Sequence, residues 1–366
     1  MRLRRSDTCA VDRVFLRGVI EGFYGRVWPW QERHAWIDFL AANAFNTYVY
    51  APKADRSLRR AWREDMPPDD LEHLRVLREH CRQKNVGFGI GFSPWGLQSE
   101  YTAPDRAALK RKFAQINQLN ADFICILFDD MPGDFERLAA RQIDIVYDIA
   151  AQSNADRFAM CPTYYSFDPV LEQLFGKMPE NYLEDLGRRL DTAIDIFWTG
   201  SQVLAPGFTR EDIDAISSRI RRKPLLWDNY PVNDGRKSSR FLHVKPVVNR
   251  PARLHEWCAG HFANPMNQPR LSRFPLMSLA TSYASGDDYC ADSEWARQVR
   301  ELTDRRFAAL LERDANLFQT LGLDALSNVQ RQQMISEYSA VSDPSAQEIV
   351  DWLEERYRFD PECLND

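Results

Sequence analysis

Apolar residues gather in eight short runs along the chain. They are FLRGVIEGFYG (15–25), TYVYAPK (47–53), VGFGIGFSP (86–94), FICILFDD (123–130), FAMCPTYY (158–165), IDIFWTG (194–200), PLLWDNYPVND (224–234) and WCAGHFANP (257–265). Most are too continuously apolar for a strand with one wet face, which predicts parallel strands covered on both faces. Between the runs the spacing turns helical. Leu109, Phe113 and Ile116 share one face, as do Leu183, Leu186 and Leu190, and Ile213, Ile216 and Ile220. Thr209 and Asp212 read as the cap and first-turn acid of the last of these helices. The link GRKSSRFLHVKPVVNRPARLHE reads as mostly loop, and SRFPLMSLATSYAS as an eighth helix. A unit of roughly 30 residues, repeated eight times over about 250, predicts an α/β fold, the (β/α)8 TIM barrel.

Beyond about residue 290 the pattern is purely helical. SEWARQVRELTDRRFAALLERDANLFQ reads as one amphipathic stretch. SDPSAQEIVDWLEERYRF reads as another, with Asp343 as N-cap and Pro344 at the first helical position. The expected division is an N-terminal segment 1–14, a barrel 15–290 and a helical appendage 291–366. The appendage carries no catalytic-looking cluster; packing on the barrel, pairing two copies as a homodimer, or presenting substrate are all open to it.

In nearly every unit the polar and aromatic exceptions stand where the strand ends: EGFYG, YAPK, FSPW, FDDM, CPTYY, WTGS, WDNYPVND and FANPMN. Barrel enzymes build their sites at that face from several strand ends. A structural protein has no reason to collect awkward residues there, so the distribution points to an enzyme.

Composition narrows the class. The 366 residues suit one large barrel with an appendage, and 44% hydrophobic residues supply its core. A net charge of −6 does not favour nucleic acid or an anionic membrane. Arg outnumbers Lys 39 to 8, but the arginines are scattered. The seven cysteines include no C-x-x-C, and several sit inside apolar runs, which fits buried thiols in a reducing compartment. MRLRRSDTCAVDRVF is basic but lacks the apolar core of a signal peptide, and no stretch approaches the roughly 18 apolar residues of a membrane helix. The expectation is a soluble cytoplasmic protein. GFGIGF does not match G-x-G-x-x-G, and the six histidines form no ligand spacing. Neither a G-x-S-x-G elbow nor a Walker loop occurs, so no cofactor or metal is expected.

The run ICILFDD ends in two adjacent acids, Asp129 and Asp130. One explanation is a helix N-terminus, where acids favour the dipole; Asp134 is the better cap. Another is magnesium held by Asp129, Asp130 and Asp134 in a D-D-x-x-x-D set, as in diphosphate chemistry. A third is divided labour: neighbouring carboxylates push each other's pKa values apart, which suits acid/base work on a glycoside. WDNYPVND places Trp227, Asn229, Asn233 and Asp234 at one strand end. An indole face with amide and carboxylate groups suits a neutral sugar, though an Asn-rich turn after a core Trp explains it too. Lys53 follows YVYAP directly, where a solvated lysine is the plain alternative. Tyr165 could donate its hydroxyl to a reacting oxygen or simply pack in the core.

Together these strand ends resemble the family 84 glycoside hydrolases, the O-GlcNAcase group of β-N-acetylglucosaminidases, from about Gly18 to Asp288. GVIEGFYGRVW, NTYVYAPKAD followed by WRE, LFDDM, CPTYY, WTGSQV, WDNYPVND and NPM stand in that family's order and spacing. The resemblance implies a retaining exo-hydrolase of terminal β-linked GlcNAc on a glycoside or glycoprotein, in which the substrate's 2-acetamido oxygen attacks the anomeric carbon. It assigns Asp129 to the acetamido N–H and Asp130 to protonation of the leaving oxygen and deprotonation of water. It further assigns Tyr165 to the acetamido oxygen. Gly22, Lys53, Asn229, Asp234 and Asn264 fall to the sugar hydroxyls, and Cys161, Thr199, Val203 and Trp227 to the acetamido pocket. Four positions depart from the family pattern: Val27, Ala54, Tyr164 and an inserted Trp95. None touches the carboxylate pair; they bear on which aglycone is tolerated. A catalytically silent glycan-binding barrel and a magnesium-dependent diphosphate enzyme are the rival classes.

Overall fold

The computed structural model describes residues 14–364; the expected N-terminal segment, Val14 apart, lies outside them. All eight runs form strands: β1 (Leu16–Glu21), β2 (Thr47–Tyr50), β3 (Gly87–Phe92), β4 (Phe123–Leu127), β5 (Arg157–Cys161), β6 (Ile194–Trp198), β7 (Leu225–Asp228) and β8 (Gly260–Ala263). Each pairs in parallel with the next, and β8 pairs with β1 to close the barrel. Closure leaves no sheet edge exposed. The sequence-predicted helical faces are buried as expected: Leu109, Phe113 and Ile116; Leu183, Leu186 and Leu190; Ile213, Ile216 and Ile220. Thr209 caps the helix Arg210–Ile220 by accepting the Asp212 N–H.

Small residues make room for large ones inside the barrel. Phe262 packs against Phe123 and Phe197, and a Cβ on Gly18 would lie 2.5 Å from the Phe262 ring. The glycines of GFGIGF do similar work. A Cβ on Gly91 would fall 2.4 Å from that of Ala51, and one on Gly89 would fall 2.9 Å from Val49. The motif is therefore a packing device at adjacent strands and not a phosphate cradle.

The link from β7 to β8 is mostly loop, broken by the short helices Ser238–Arg240 and Leu254–Trp257. Two things hold it in place of a full helix. Arg250 makes two hydrogen bonds to Asp228, at 2.9 and 2.8 Å, and also donates to the carbonyls of Ala205, Pro206 and Val248. Burial alone would raise the Asp228 pKa, but Arg250 and then His261 outweigh it and hold it at about 2. The other anchor is apolar: Leu242 and Val244 of this loop share a core with Phe274, Phe307, Phe318, Tyr338 and Trp352. The indoles of Trp295 and Trp352 donate to the carbonyls of Val244 and Ser239. The helices after residue 290 thus lie against the barrel.

Two expectations need correcting. The stretch 293–319 is not continuous: Ala291–Leu302 and Arg305–Asn316 are separate helices. Asp304 accepts the N–H groups of Arg306 and Phe307, and this local capping competes with continuing the first helix. Asp134 caps nothing. The helix after β4 starts at Leu138 behind Arg137, with no side-chain cap. Asp343 does cap its helix, with Pro344 at the first position. Among the described residues no helix is long and apolar enough to cross a membrane.

Candidate active site

The twelve residues to which the family resemblance assigns a role all line one cavity of about 480 Å³, counting space open to solvent, at the C-terminal ends of the strands. Every strand except β3 contributes. Gly22 follows β1, Lys53 follows β2, and Asp129 and Asp130 follow β4. Cys161 ends β5, with Tyr165 just beyond; Thr199 and Val203 follow β6. Trp227 lies in β7, Asn229 and Asp234 follow it, and Asn264 follows β8.

The turn after β4 is fixed from beneath. The Phe128 N–H donates to the Cys161 carbonyl at 2.9 Å, and its own carbonyl accepts from Thr163 Oγ1 at 2.9 Å. The chain then bends sharply enough to put Asp130 at φ 58°. A left-handed conformation costs a non-glycine residue about 1–2 kcal/mol, Asp being among the more tolerant types. Here it turns two successive carboxylates into the same cavity.

The two carboxylates have different surroundings. Asp129 Oδ2 pairs with Lys53 Nζ, while Asp129 Oδ1 is buried and accepts no hydrogen bond. Asp130 Oδ2 accepts from Tyr24 Oη at 2.7 Å and Oδ1 from Tyr165 Oη at 3.1 Å, with Lys53 Nζ 3.7 Å from Oδ2. Burial would lower the Lys53 pKa, but Asp129 and then Asp130 overcome it, so the ammonium is held charged. Burial, reinforced by Asp130, pushes the phenols of Tyr24 and Tyr165 well above their usual range, so both remain donors. Burial, with Asp129 adding to it, likewise keeps the Cys161 thiol protonated, which makes it wall and not nucleophile.

A chain of amides borders the other side. The Gly22 N–H donates to Asn264 Oδ1 at 3.3 Å. Asn264 Nδ2 and Trp227 Nε1 both donate to Asn229 Oδ1, at 3.2 and 3.0 Å, and Asn229 Nδ2 donates to the Val203 carbonyl. Gly22 must be glycine for this: a Cβ would lie 2.4 Å from the Trp227 ring.

Asp234 accepts the Tyr24 N–H at 2.7 Å, and burial pushes its pKa up to about 6. If this carboxylate receives sugar hydroxyls, it accepts them best when ionised, since protonation converts one of its oxygens into a donor. kcat/KM should therefore fall as pH drops through about 6, and that step should be missing in Asp234→Asn; pH profiles of the two proteins check this.

Other expectations fail geometrically. Asn233 is not at the cavity; its amide donates to the Phe241 carbonyl and to Gln268 Oε1. Asp134 is exposed and outside the cavity lining, so the D-D-x-x-x-D set is not assembled. Of the four departures, Val27 and Ala54 line a neighbouring groove, Tyr164 donates to the Gly176 carbonyl, and Trp95 lies 3.6 Å from the Arg60 guanidinium. Sequence reasoning missed Tyr24, although it stands two positions after Gly22 at the end of the same run. It also missed Arg59 and Cys363, which have no local signature.

A family model described as beta-N-acetylglucosaminidase matches residues 17–315. The protein named Protein O-GlcNAcase from Rattus norvegicus is 32% identical over 286 residues, covering 75% of this chain and 30% of its own length. Its Mus musculus counterpart is 32% identical over 283 residues, with the same coverage. The chain thus spans under a third of the length of those relatives. Among solved structures, a single-substitution variant of the Thermobaculum terrenum O-GlcNAc hydrolase superposes with a TM-score of 0.78 at 31% identity, covering 93% of this chain and 81% of that one.

Proposed function

The chain belongs to the β-N-acetylglucosaminidase family, glycoside hydrolase family 84, and from that premise we propose that it is a retaining exo-β-N-acetylglucosaminidase that uses its substrate's acetamido group as nucleophile. The observation that carries this reading is Asp129 Oδ1, a buried carboxylate oxygen that accepts no hydrogen bond. Such an atom costs about 1–3 kcal/mol relative to a satisfied one. An acetamido N–H entering the cavity would satisfy it and turn the acetamido oxygen toward the anomeric carbon.

The steps then balance as follows. The acetamido oxygen bonds to the anomeric carbon while the glycosidic bond breaks, and Asp130 gives its proton to the leaving oxygen. Positive charge develops on the oxazoline-like intermediate beside Asp129. Water then attacks the same carbon, Asp130 takes its proton, and the acetamido oxygen leaves with net retention. No protein nucleophile is needed, unlike the usual two-carboxylate scheme.

Tyr165 fits a double role. Donating to Asp130, it favours the carboxylate; drawn to an acetamido oxygen, it frees Asp130 to hold the proton it must deliver. Lys53 supplies fixed positive charge to both acids. The substrate is a GlcNAc-bearing glycoside, and Ser- or Thr-linked GlcNAc of proteins falls within the proposal. The buried thiols Cys81, Cys125, Cys161 and Cys258 support a reducing, cytoplasmic setting. The same proposal takes 15–290 as the catalytic barrel and 291–366 as its helical support. Turnover of aryl β-glycosides differing only in acetamido or hydroxyl at carbon 2 tests it; the hydroxyl compound should resist hydrolysis.

A further inference from the structure

The segment after the last helix runs against loops at the strand exits and reaches the cavity at Cys363. Tyr357 lies under Arg26, 5.0 Å from the guanidinium carbon, and Phe359 lies under Arg236 at 4.8 Å. A turn follows, in which the N–H groups of Glu362 and Cys363 donate to Asp360 Oδ1 and the Asp360 carbonyl, both at 2.9 Å. Glu362 Oε2 then accepts from Arg59 at 2.7 Å and Arg60 at 3.2 Å, and Cys363 lines the cavity itself. The segment therefore touches the exit loops of β1, β7 and β2 in succession. Arg59 is buried and donates to Tyr24 Oη at 3.0 Å, and Tyr24 in turn donates to Asp130. Glu362 is thus two side chains removed from the acid that would protonate the leaving oxygen. A buried guanidinium needs a partner, which gives this ion pair a reason to stay closed.

We propose that residues 357–364 form a wall of the leaving-group subsite, clasped by Glu362 on Arg59, and that this wall admits slender aglycones and hinders those mounted on a folded protein. The inference rests on the proposed hydrolase activity, in which the aglycone departs from the Asp130 side, where Tyr24 and, behind it, Arg59 stand.

The test compares three forms: the intact chain, a chain stopped after Phe359, and full-length Glu362→Gln. Each is assayed on an aryl 2-acetamido-2-deoxy-β-glucoside with a good leaving group and on a folded protein carrying GlcNAc on serine. The protein-to-aryl ratio of kcat/KM should rise about tenfold or more in the shortened chain and about threefold in Glu362→Gln. Should the shortened chain not fold, the ratio for Glu362→Gln decides alone. Ratios unchanged within about twofold, with the aryl glycoside turned over normally, would overturn the wall and leave the hydrolase standing. No turnover of the aryl glycoside by the intact chain would remove both.

Discussion

Asp129→Asn should lower kcat/KM by about 10³-fold on every substrate, whether its leaving group is good or poor. The reason is where Asp129 acts. In the proposed mechanism its oxygen orients the internal nucleophile and faces the positive charge of the intermediate, and both demands precede any question of how the aglycone departs. About 10³-fold corresponds to about 4 kcal/mol of transition-state stabilisation, reasonable for a fixed charge in a buried site. Asparagine keeps the shape but removes the charge, and its NH2 group cannot accept the acetamido N–H. The variant should still fold, because Lys53 already lies 3.7 Å from Asp130 and can close on it. Thermal melting beside the kinetics separates lost chemistry from lost structure.

Asp130→Asn should show a different pattern. Glycosides with strongly acidic leaving groups need little protonation, so their loss should be about tenfold. For alkyl-like leaving groups the loss should reach about 10³-fold or more, the upper part of the range for a general acid. A plot of log kcat/KM against leaving-group pKa should therefore steepen sharply in the variant. Equal losses across the series would show that the two acids do not divide the work as assigned. Tyr24 and Tyr165 both donate to Asp130, so an amide in its place leaves one phenol facing an NH2 group that cannot accept. That change is common to all substrates and shifts the line without tilting it.

The barrel was legible because most strands are nearly continuous apolar runs, broken only by single residues such as Asp195 in Ile194–Trp198, and the turns after them depart from that pattern. The cavity was legible for the same reason: the polar residues that line it interrupt otherwise plain hydrophobic sequence at strand exits, as Asp129 and Asp130 do after Phe123–Leu127. Local grammar also found the caps Thr209 and Asp343, whose partners lie within three residues. It failed at Asp134, since a good cap residue is only useful if the helix begins beside it, and this helix begins four residues later. Asn233 looked like its neighbours Asn229 and Asp234, and only the fold turns its amide away toward Gln268. The Arg59–Glu362 pair joins positions 303 residues apart, and nothing local in either sequence announces such a contact.

The central claim is that the nucleophile belongs to the substrate. It is tested most directly by matched aryl β-glycosides bearing either acetamido or hydroxyl at carbon 2, assayed with the same aglycone. Intramolecular attack by a well-placed group is worth many orders of magnitude, so kcat/KM for the acetamido compound should exceed that for the hydroxyl compound by at least about 10³-fold. Comparable rates on the two would mean that a protein group or water attacks the anomeric carbon, and would contradict substrate assistance outright.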